Sequence, residues 1–142
     1  MTGGGDHART FSARMSALPE VVAFTGDVCL AAALDRDACL RLTLFVEELF
    51  TNTVVHGHGQ DSDEPVRLAF VIGPGRITMT YEDTGPPHDP FTALTAPDDE
   101  ADVEDRPVGG LGVLLVAGLA TDVEYRRADG RNRISLAVTA PG

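Results

Sequence analysis

Residues 45–56 read Phe45-Val-Glu-Glu-Leu-Phe-Thr-Asn-Thr-Val-Val-His56 and combine two helical patterns. One is an apolar stripe with the 3, 4 spacing of a buried helix face, formed by Leu42, Phe45, Val46, Leu49 and Thr53. The other is a polar stripe at i, i+4 and i+8, formed by Glu48, Asn52 and His56. If the apolar stripe packs on a sheet, the polar stripe runs along the edge of the helix–sheet layer. The stretch therefore predicts a helix whose edge leaves room for a ligand.

The polar stripe carries suitable chemistry for that ligand. Asn52 offers a neutral oxygen to a hard cation that keeps its waters, and Glu48, one turn earlier, can accept a proton or orient a water. Glu47 lies on a different azimuth of the helix. Taken alone, a Glu–Asn pair at this spacing is common on helix surfaces, so the assignment depends on the motifs that follow.

Two glycine-containing motifs follow in the chain. The Asp-x-Gly at Asp83 to Gly85 ends a β-rich run, where the carboxylate can accept a hydrogen bond from an exocyclic amine and the glycine lets the backbone turn close to a ligand. Gly109-Gly110-Leu111-Gly112 opens an apolar, helix-like stretch, where backbone N–H groups become free for phosphate. With the Glu–Asn helix, these motifs supply the parts that a nucleotide–magnesium site needs.

Two better-known phosphate motifs are excluded. The dinucleotide fingerprint would require a third glycine at position 115, which is Leu115, and no strand directly precedes the glycines. A P-loop requires a lysine, and this chain contains none.

Composition limits the class of protein. The 142 residues suit one domain that can bury a core, and the formal net charge is −11. So acidic a surface repels nucleic acid and favours protein partners with basic patches. Cys29 and Cys39 have neither metal-site spacing nor a disulfide pattern. The chain opens without an apolar stretch, and its longest apolar run, residues 111–120, falls short of the roughly 20 residues that span a bilayer. We expect a cytoplasmic protein that does not bind a membrane.

Periodicity predicts a mixed order of elements. Strands are expected at residues 9–15, 66–72, 76–82, 123–127 and 133–138, and helices at residues 18–33, 35–55 and 111–120. Asp35 is the expected N-cap of the second helix, and Gly73-Pro74-Gly75 and Asp129-Gly130 are the expected hairpin turns. The fold class is a two-layer α/β (α+β) sandwich, with a mixed, mostly antiparallel sheet and helices on one face.

The three motifs, in this order and at these separations, resemble the GHKL ATPase superfamily with its Bergerat nucleotide fold. Within it, the chain looks like the RsbW-like anti-sigma-factor serine kinases. Gly85-Pro-Pro-His-Asp-Pro-Phe91 and Val123-Glu-Tyr-Arg-Arg127 add to the resemblance, which covers residues 8–138.

The resemblance implies an activity and its residues. The protein would bind ATP and Mg²⁺, hold a sigma factor, phosphorylate a STAS-domain anti-anti-sigma factor, and form a homodimer. Asn52 would bind Mg²⁺, Glu48 would be the general base, and Asp83 would read the adenine amine. The phosphate loop would be shaped by Gly109, Gly110, Leu111 and Gly112. Residues 1–8 would be a flexible N-terminus, 9–139 the domain, and about 86–108 the ATP lid.

The chain departs from the family pattern in the lid and in the last strand. Pro87 replaces a second glycine and stiffens the entrance to the lid. The lid is acidic, and its single basic residue, Arg106, is the candidate for a phosphate contact. A threonine common in the last strand is absent, and Asn132 lies near that place without an assigned role.

Other functions compete with the anti-sigma kinase. The chain could be a GHKL-fold binding module that sequesters a regulator without phosphoryl transfer, or a kinase that acts on a signalling partner without holding a sigma factor. A zinc hydrolase would have to use Glu47, Glu48, His56 and His58, whose histidines straddle a glycine instead of sharing a helix face.

Overall fold

The computed structural model describes residues 5–91 and 119–140. Its strands are β1 (Gly5–Ser12), β2 (Pro65–Gly73), β3 (Arg76–Asp83), β4 (Ala120–Ala128) and β5 (Arg131–Thr139). Its helices are α1 (Leu18–Ala31) and α2 (Arg36–Asn52), with a 3-10 turn at Met15–Ala17 and a π-helical turn at Thr53–Gly57. Within these residues, no helix is both long and apolar enough to cross a membrane.

The five strands form one sheet in the order β1-β2-β3-β5-β4, and each neighbouring pair is antiparallel. Two tight turns make the hairpins. Gly75 (φ 74°) lies between β2 and β3, and Asp129 and Gly130 (φ 53° and 75°) lie between β4 and β5. Two consecutive positive φ angles match the right-handed twist of hairpin strands. The predicted hairpins and the antiparallel sheet are confirmed.

The core lies between one face of the sheet and the two helices. Every second residue of β2 is buried, namely Val66, Leu68, Phe70 and Ile72. They share one cluster with the predicted stripe of α2, where Leu42, Phe45 and Val46 are fully buried. The two-layer α+β fold with helices on one face is therefore confirmed.

The N-terminal strand begins and ends earlier than predicted. It starts at Gly5, inside the stretch expected to be flexible, because residues 5–12 pair along β2 from Ile72 to Pro65. It ends at Ser12 because the loop before β2 binds the next residues. The Ala13 amide donates to the Glu64 carbonyl at 2.9 Å, and the Met15 amide donates to Asp61 Oδ1 at 2.9 Å.

The other boundaries differ at helix ends. The helix predicted at 111–120 lies outside the described residues except at its end, where Ala120 already begins β4. Helix α1 ends at Ala31, and α2 gives way at Thr53 to a π-helical turn. In this turn, the His58 amide donates to the Thr53 carbonyl at 2.9 Å, and the Thr53 hydroxyl bonds back to the Leu49 carbonyl at 2.9 Å. Single π turns occur often at functional sites.

The two cysteines lie on facing helices as free thiols. Cys29 of α1 is buried and Cys39 of α2 is half-buried. Burial raises the pKa of the Cys29 thiol, and its hydrogen bond with Cys39 raises it further. Neither thiol lines the cavity described below.

The start of α2 provides a test of local stability. Asp35 Oδ1 accepts a hydrogen bond from the Ala38 amide at 2.8 Å, as predicted for the N-cap. We expect Asp35→Ala to lower the free energy of unfolding by about 1 kcal/mol, measured in urea, because an orphan N–H loses its partner. The control Asp37→Ala removes an exposed ion pair with Arg41 and an acidic charge in the first turn, but no capping hydrogen bond, and should cost about 0.5 kcal/mol. Equal losses for the two variants would contradict the capping role.

Candidate nucleotide site

One cavity of about 510 Å³ opens where the C-terminal end of α2 meets the ends of β3 and β5. We call it the α2–β3 cavity. Its wall contains Leu49, Asn52, Thr53, His56 and Gly57 from the helix side, Tyr81, Asp83 and Gly85 from the β3 side, Pro86, Pro87 and His88 from the following segment, and Asn132 and Ile134 from β5. Apolar and polar groups are mixed there, as in many small-molecule sites.

The structure brings some predicted site residues together and leaves others apart. Asn52, Asp83 and Gly85 line the cavity, although 31 positions separate Asn52 from Asp83 in the sequence. Glu48 is half-buried one turn before Asn52 on α2 and is not part of the cavity wall. Arg106, Gly109, Gly110, Leu111 and Gly112 lie outside the described residues. The end of α2 and the end of β3 therefore line one cavity, and two members of the polar stripe, Asn52 and His56, are on its wall.

The first residues of the predicted lid belong to the cavity. Pro86, Pro87 and His88 are exposed residues on its wall. Phe91 is buried and stacks on Phe45 of α2, with ring centroids 6.0 Å apart. The rest of the predicted lid, residues 92–108, lies outside the described residues. The described segment is thus anchored at both of its ends, by β3 and by the α2 core.

Asp83 is a buried carboxylate with three donors. Its Oδ1 accepts from the Gly85 amide at 3.1 Å and from Asn132 Nδ2 at 2.8 Å, and its Oδ2 accepts from the Thr53 hydroxyl at 2.7 Å. Each carboxylate oxygen can accept two hydrogen bonds. Oδ1 is therefore saturated, while Oδ2 retains capacity for one more donor. An exocyclic amine in the cavity is such a donor.

Thr53 and Tyr81 form a hydroxyl pair beside Asp83, with their oxygens 2.6 Å apart. Burial raises the pKa of the Tyr81 phenol well above its usual value; the hydrogen bond with Thr53 opposes this rise, and the charge of Asp83 adds to it. Tyr81 thus keeps its proton and can donate it to Thr53. Thr53 has a single proton, which either Asp83 or the Leu49 carbonyl can accept. When a ligand enters the cavity, the Thr53 hydroxyl can therefore change the acceptor to which it donates.

Asn132 connects Asp83 to the segment after β3. Besides its bond to Asp83, its Nδ2 lies 2.8 Å from the Pro86 carbonyl and 3.3 Å from the Gly85 carbonyl. Its Oδ1 accepts from the His88 amide at 3.1 Å and from the Tyr125 hydroxyl at 2.5 Å. One buried carboxamide therefore joins β3, β4, β5 and the start of the lid segment.

Gly85 is held from two sides. Its carbonyl accepts from Arg127 Nη1 at 2.6 Å, and its amide donates to Asp83. Its φ is not in the left-handed region, and a Cβ there would lie 3.5 Å from Gly57 Cα, an ordinary contact. Neither local strain nor a clash within the described residues requires glycine at position 85. The predicted reason, close approach to a ligand, stays a prediction.

Several of these contacts were not assigned from the sequence. The sequence patterns assign no role in the site to Thr53, Tyr81, Tyr125 or Arg127, and they leave the role of Asn132 open. Asn132 carried a usable signal. It occupies the position on β5 that continues the buried alternation of Ile134, Leu136 and Val138, and it is only 3% exposed. A polar residue in such a register must find partners inside the protein.

The described residues contain no group of three or more His, Cys, Asp or Glu side chains that could hold a metal ion. The zinc-hydrolase hypothesis therefore finds no preformed ligand set in this part of the chain. Asn52 lines the cavity, and its carboxamide oxygen stays the predicted ligand of Mg²⁺. Mg²⁺ commonly takes one or two protein ligands and completes its shell with phosphate oxygens and water.

Comparison with known protein families agrees with the fold. Residues 11–138 match the family model described as "Histidine kinase-like ATPase domain". No curated protein matches the chain closely enough to count as a relative. The family match spans the Glu48–Asn52 helix, the Asp83 turn and both hairpins. The match supports ATP as a ligand of this chain. The chain belongs to the family of histidine kinase-like ATPase domains.

Proposed function

We propose that this protein binds ATP with Mg²⁺ in the α2–β3 cavity and transfers the terminal phosphoryl group to a serine of a partner protein. The observation that most supports this proposal is the convergence of Asn52 and Asp83 on one cavity wall. One is the oxygen ligand that Mg²⁺ prefers, and the other is an acceptor suited to the adenine amine. The family match adds ATP as the ligand.

Adenine selection would depend on the remaining acceptor capacity of Asp83 Oδ2. Adenine presents an amine at the position where guanine presents a carbonyl. A carbonyl oxygen against the carboxylate would leave two acceptors facing each other in a buried place. Such an unpaired group costs roughly 1–3 kcal/mol.

We therefore expect ATP to bind about 5- to 150-fold more tightly than GTP, which corresponds to that penalty. Competition between the two nucleotides for a fluorescent ATP analogue measures the ratio. Asp83→Asn should narrow the ratio, because an amide can donate to the guanine carbonyl. If ATP and GTP compete equally with the wild type, the adenine role of Asp83 is wrong.

Phosphoryl transfer would use Glu48. Glu48 lies one helical turn before Asn52. A base at this place would be close to a metal ion held by Asn52 and farther from Asp83. A serine hydroxyl must lose its proton as it attacks phosphorus, and a carboxylate can take it. Because Glu48 is outside the cavity wall, the serine would approach from beyond the nucleotide.

The proposed partners are a sigma factor and a STAS-domain anti-anti-sigma factor. This part of the proposal rests on the resemblance to RsbW-like kinases and on the net charge of −11, which favours partners with basic patches. The same resemblance suggests a cytoplasmic homodimer. The test incubates the protein with Mg-ATP and a single-domain STAS protein, followed by mass spectrometry for phosphoserine.

A binding module without transfer is the second candidate. The observation that favours it is the position of Glu48 outside the cavity wall, whereas Asp83 is on the wall and is held there by Thr53, Gly85 and Asn132. Such a module would bind ATP and the sigma factor but would leave every STAS protein unmodified. The phosphoserine test therefore separates the two candidates directly.

A further inference from the structure

The orientation of the Asn132 carboxamide is fixed by the chemistry of its neighbours. The Asp83 carboxylate can only accept a hydrogen bond, so the nitrogen of Asn132 must face it. The His88 amide can only donate, so the oxygen of Asn132 must face that group. A flipped carboxamide would place acceptor against acceptor and donor against donor. Asn132 can therefore occupy this place in a single orientation.

This orientation links two parts of the cavity wall. One N–H of Asn132 holds Oδ1 of Asp83, which leaves Oδ2 as the oxygen with spare acceptor capacity. The other N–H holds the Pro86 carbonyl, and the oxygen holds the His88 amide. The buried carboxylate and the chain from Gly85 to His88 thus share one support on β5.

We propose that Asn132 is a positioning residue of the nucleotide site. It selects the oxygen of Asp83 that reads the base and sets the path of residues 85–88 beside it. Asn132 acts through Asp83 and the backbone, and its four principal contacts are to protein groups. The proposal rests on the ATP-binding function proposed above, and it gives a role to a residue outside the Glu–Asn, Asp-x-Gly and glycine motifs.

The sharpest test is Asn132→Asp, which places a second carboxylate at the 2.8 Å contact with Asp83. Two carboxylates this close cannot both ionise without strong repulsion, so the pair keeps one shared proton to a higher pH than a single carboxyl does. At low pH, the shared proton replaces the N–H that Asp83 loses, whereas the Pro86 carbonyl loses its donor at every pH. At high pH, the two carboxylates repel each other, and the contact between position 132 and Asp83 is lost.

We therefore expect the ATP dissociation constant of Asn132→Asp, divided by that of the wild type, to rise with pH. The ratio should be lowest at about pH 5 and at least about tenfold higher at about pH 8, because burial and the like charge both raise the pH at which the pair loses its shared proton. Other titratable and charged groups near the pair are Tyr81, Tyr125, Arg127, His56, His88, Arg67, Glu82 and Arg131. They are common to both proteins, so the ratio removes the part of their contribution that does not depend on the residue at position 132. Thr139→Asp adds a carboxylate to an exposed end of β5 and should give a flat ratio.

A second variant tests the same role without adding a charge. Tyr125 is half-buried on β4, and Tyr125→Phe removes the hydroxyl that holds Asn132 Oδ1. Loss of one hydrogen bond that orients the carboxamide should weaken ATP binding about three- to tenfold. This variant keeps the ring on β4, so it tests the support even if Asn132→Asp does not fold.

The outcomes separate this inference from the function on which it rests. A wild type that binds no ATP at any pH overturns the proposed function, and the positioning role falls with it. A wild type that binds ATP, together with a flat ratio for Asn132→Asp, overturns the positioning role alone. A folded Tyr125→Phe protein that binds ATP as tightly as the wild type overturns it as well. A rising ratio and a weakened Tyr125→Phe protein support it.

Discussion

Replacing Glu48 by Gln is expected to lower phosphoryl transfer to a STAS-domain serine about 10²–10⁴-fold, the usual contribution of a positioned general base. Glutamine keeps the size and most of the hydrogen bonding of glutamate but cannot take the proton. ATP affinity should change little, because Glu48 is outside the wall of the α2–β3 cavity. Single-turnover transfer of labelled phosphate at saturating ATP measures the chemical step without a contribution from binding.

Glu47 provides the matched control. It is the neighbouring residue on α2, it is also half-buried, and it projects about 100° away around the helix. Glu47→Gln removes the same charge from the same turn and should leave transfer within a few-fold of the wild type. Equal losses for the two variants would show that helix charge, and not a base at position 48, controls the rate. Equal and complete inactivity of wild type and Glu48→Gln, with ATP still bound, would favour the non-catalytic binding module.

The spacing of apolar residues along the chain predicts most of the helices and strands, because the residues that are buried in the structure follow that spacing closely. The stripe of α2 and the alternation of β2 are buried as their spacing predicts. The hairpin turns followed from local chemistry, since Asp129-Gly130 accepts the positive φ angles that the turn requires. In these places, local preference and tertiary packing favour the same conformation.

The prediction was wrong where contacts between distant residues decide the backbone. Gly5 to His7 are poor strand formers, yet they pair with Ile72 to Phe70 because β2 presents an open edge. The π turn at Thr53 depends on a hydroxyl that bonds both to its own helix and to groups on β3. A helical period cannot distinguish a π turn from the α-helix that precedes it.

The site was only partly predictable for a related reason. Asn52 and Asp83 were identifiable because each lies in a short motif with known chemistry. Asn132 contacts Asp83, Pro86, His88 and Tyr125, which come from two separate parts of the chain, residues 83–88 and β4. No local spacing encodes such a set. The sequence marked Asn132 only as a polar residue in a buried register, which signals a need for partners without identifying them.

Replacing Asn52 by Ala is expected to remove the part of ATP affinity that depends on Mg²⁺. Asn52 is the cavity residue with a neutral oxygen suited to that ion. We expect ATP affinity in Mg²⁺ to fall by at least the roughly 10- to 100-fold seen when even outer-sphere partners of a metal are lost. In EDTA, the variant and the wild type should bind ATP equally, because no metal contact remains to lose.

Two further variants are controls. Asn52→Asp retains an oxygen and should keep the Mg²⁺ dependence. Thr51→Ala changes a half-buried neighbour off the cavity wall and should behave as the wild type. Calorimetry with and without Mg²⁺ measures all four proteins, and equal affinities for wild type and Asn52→Ala in Mg²⁺ would remove Asn52 from the metal site.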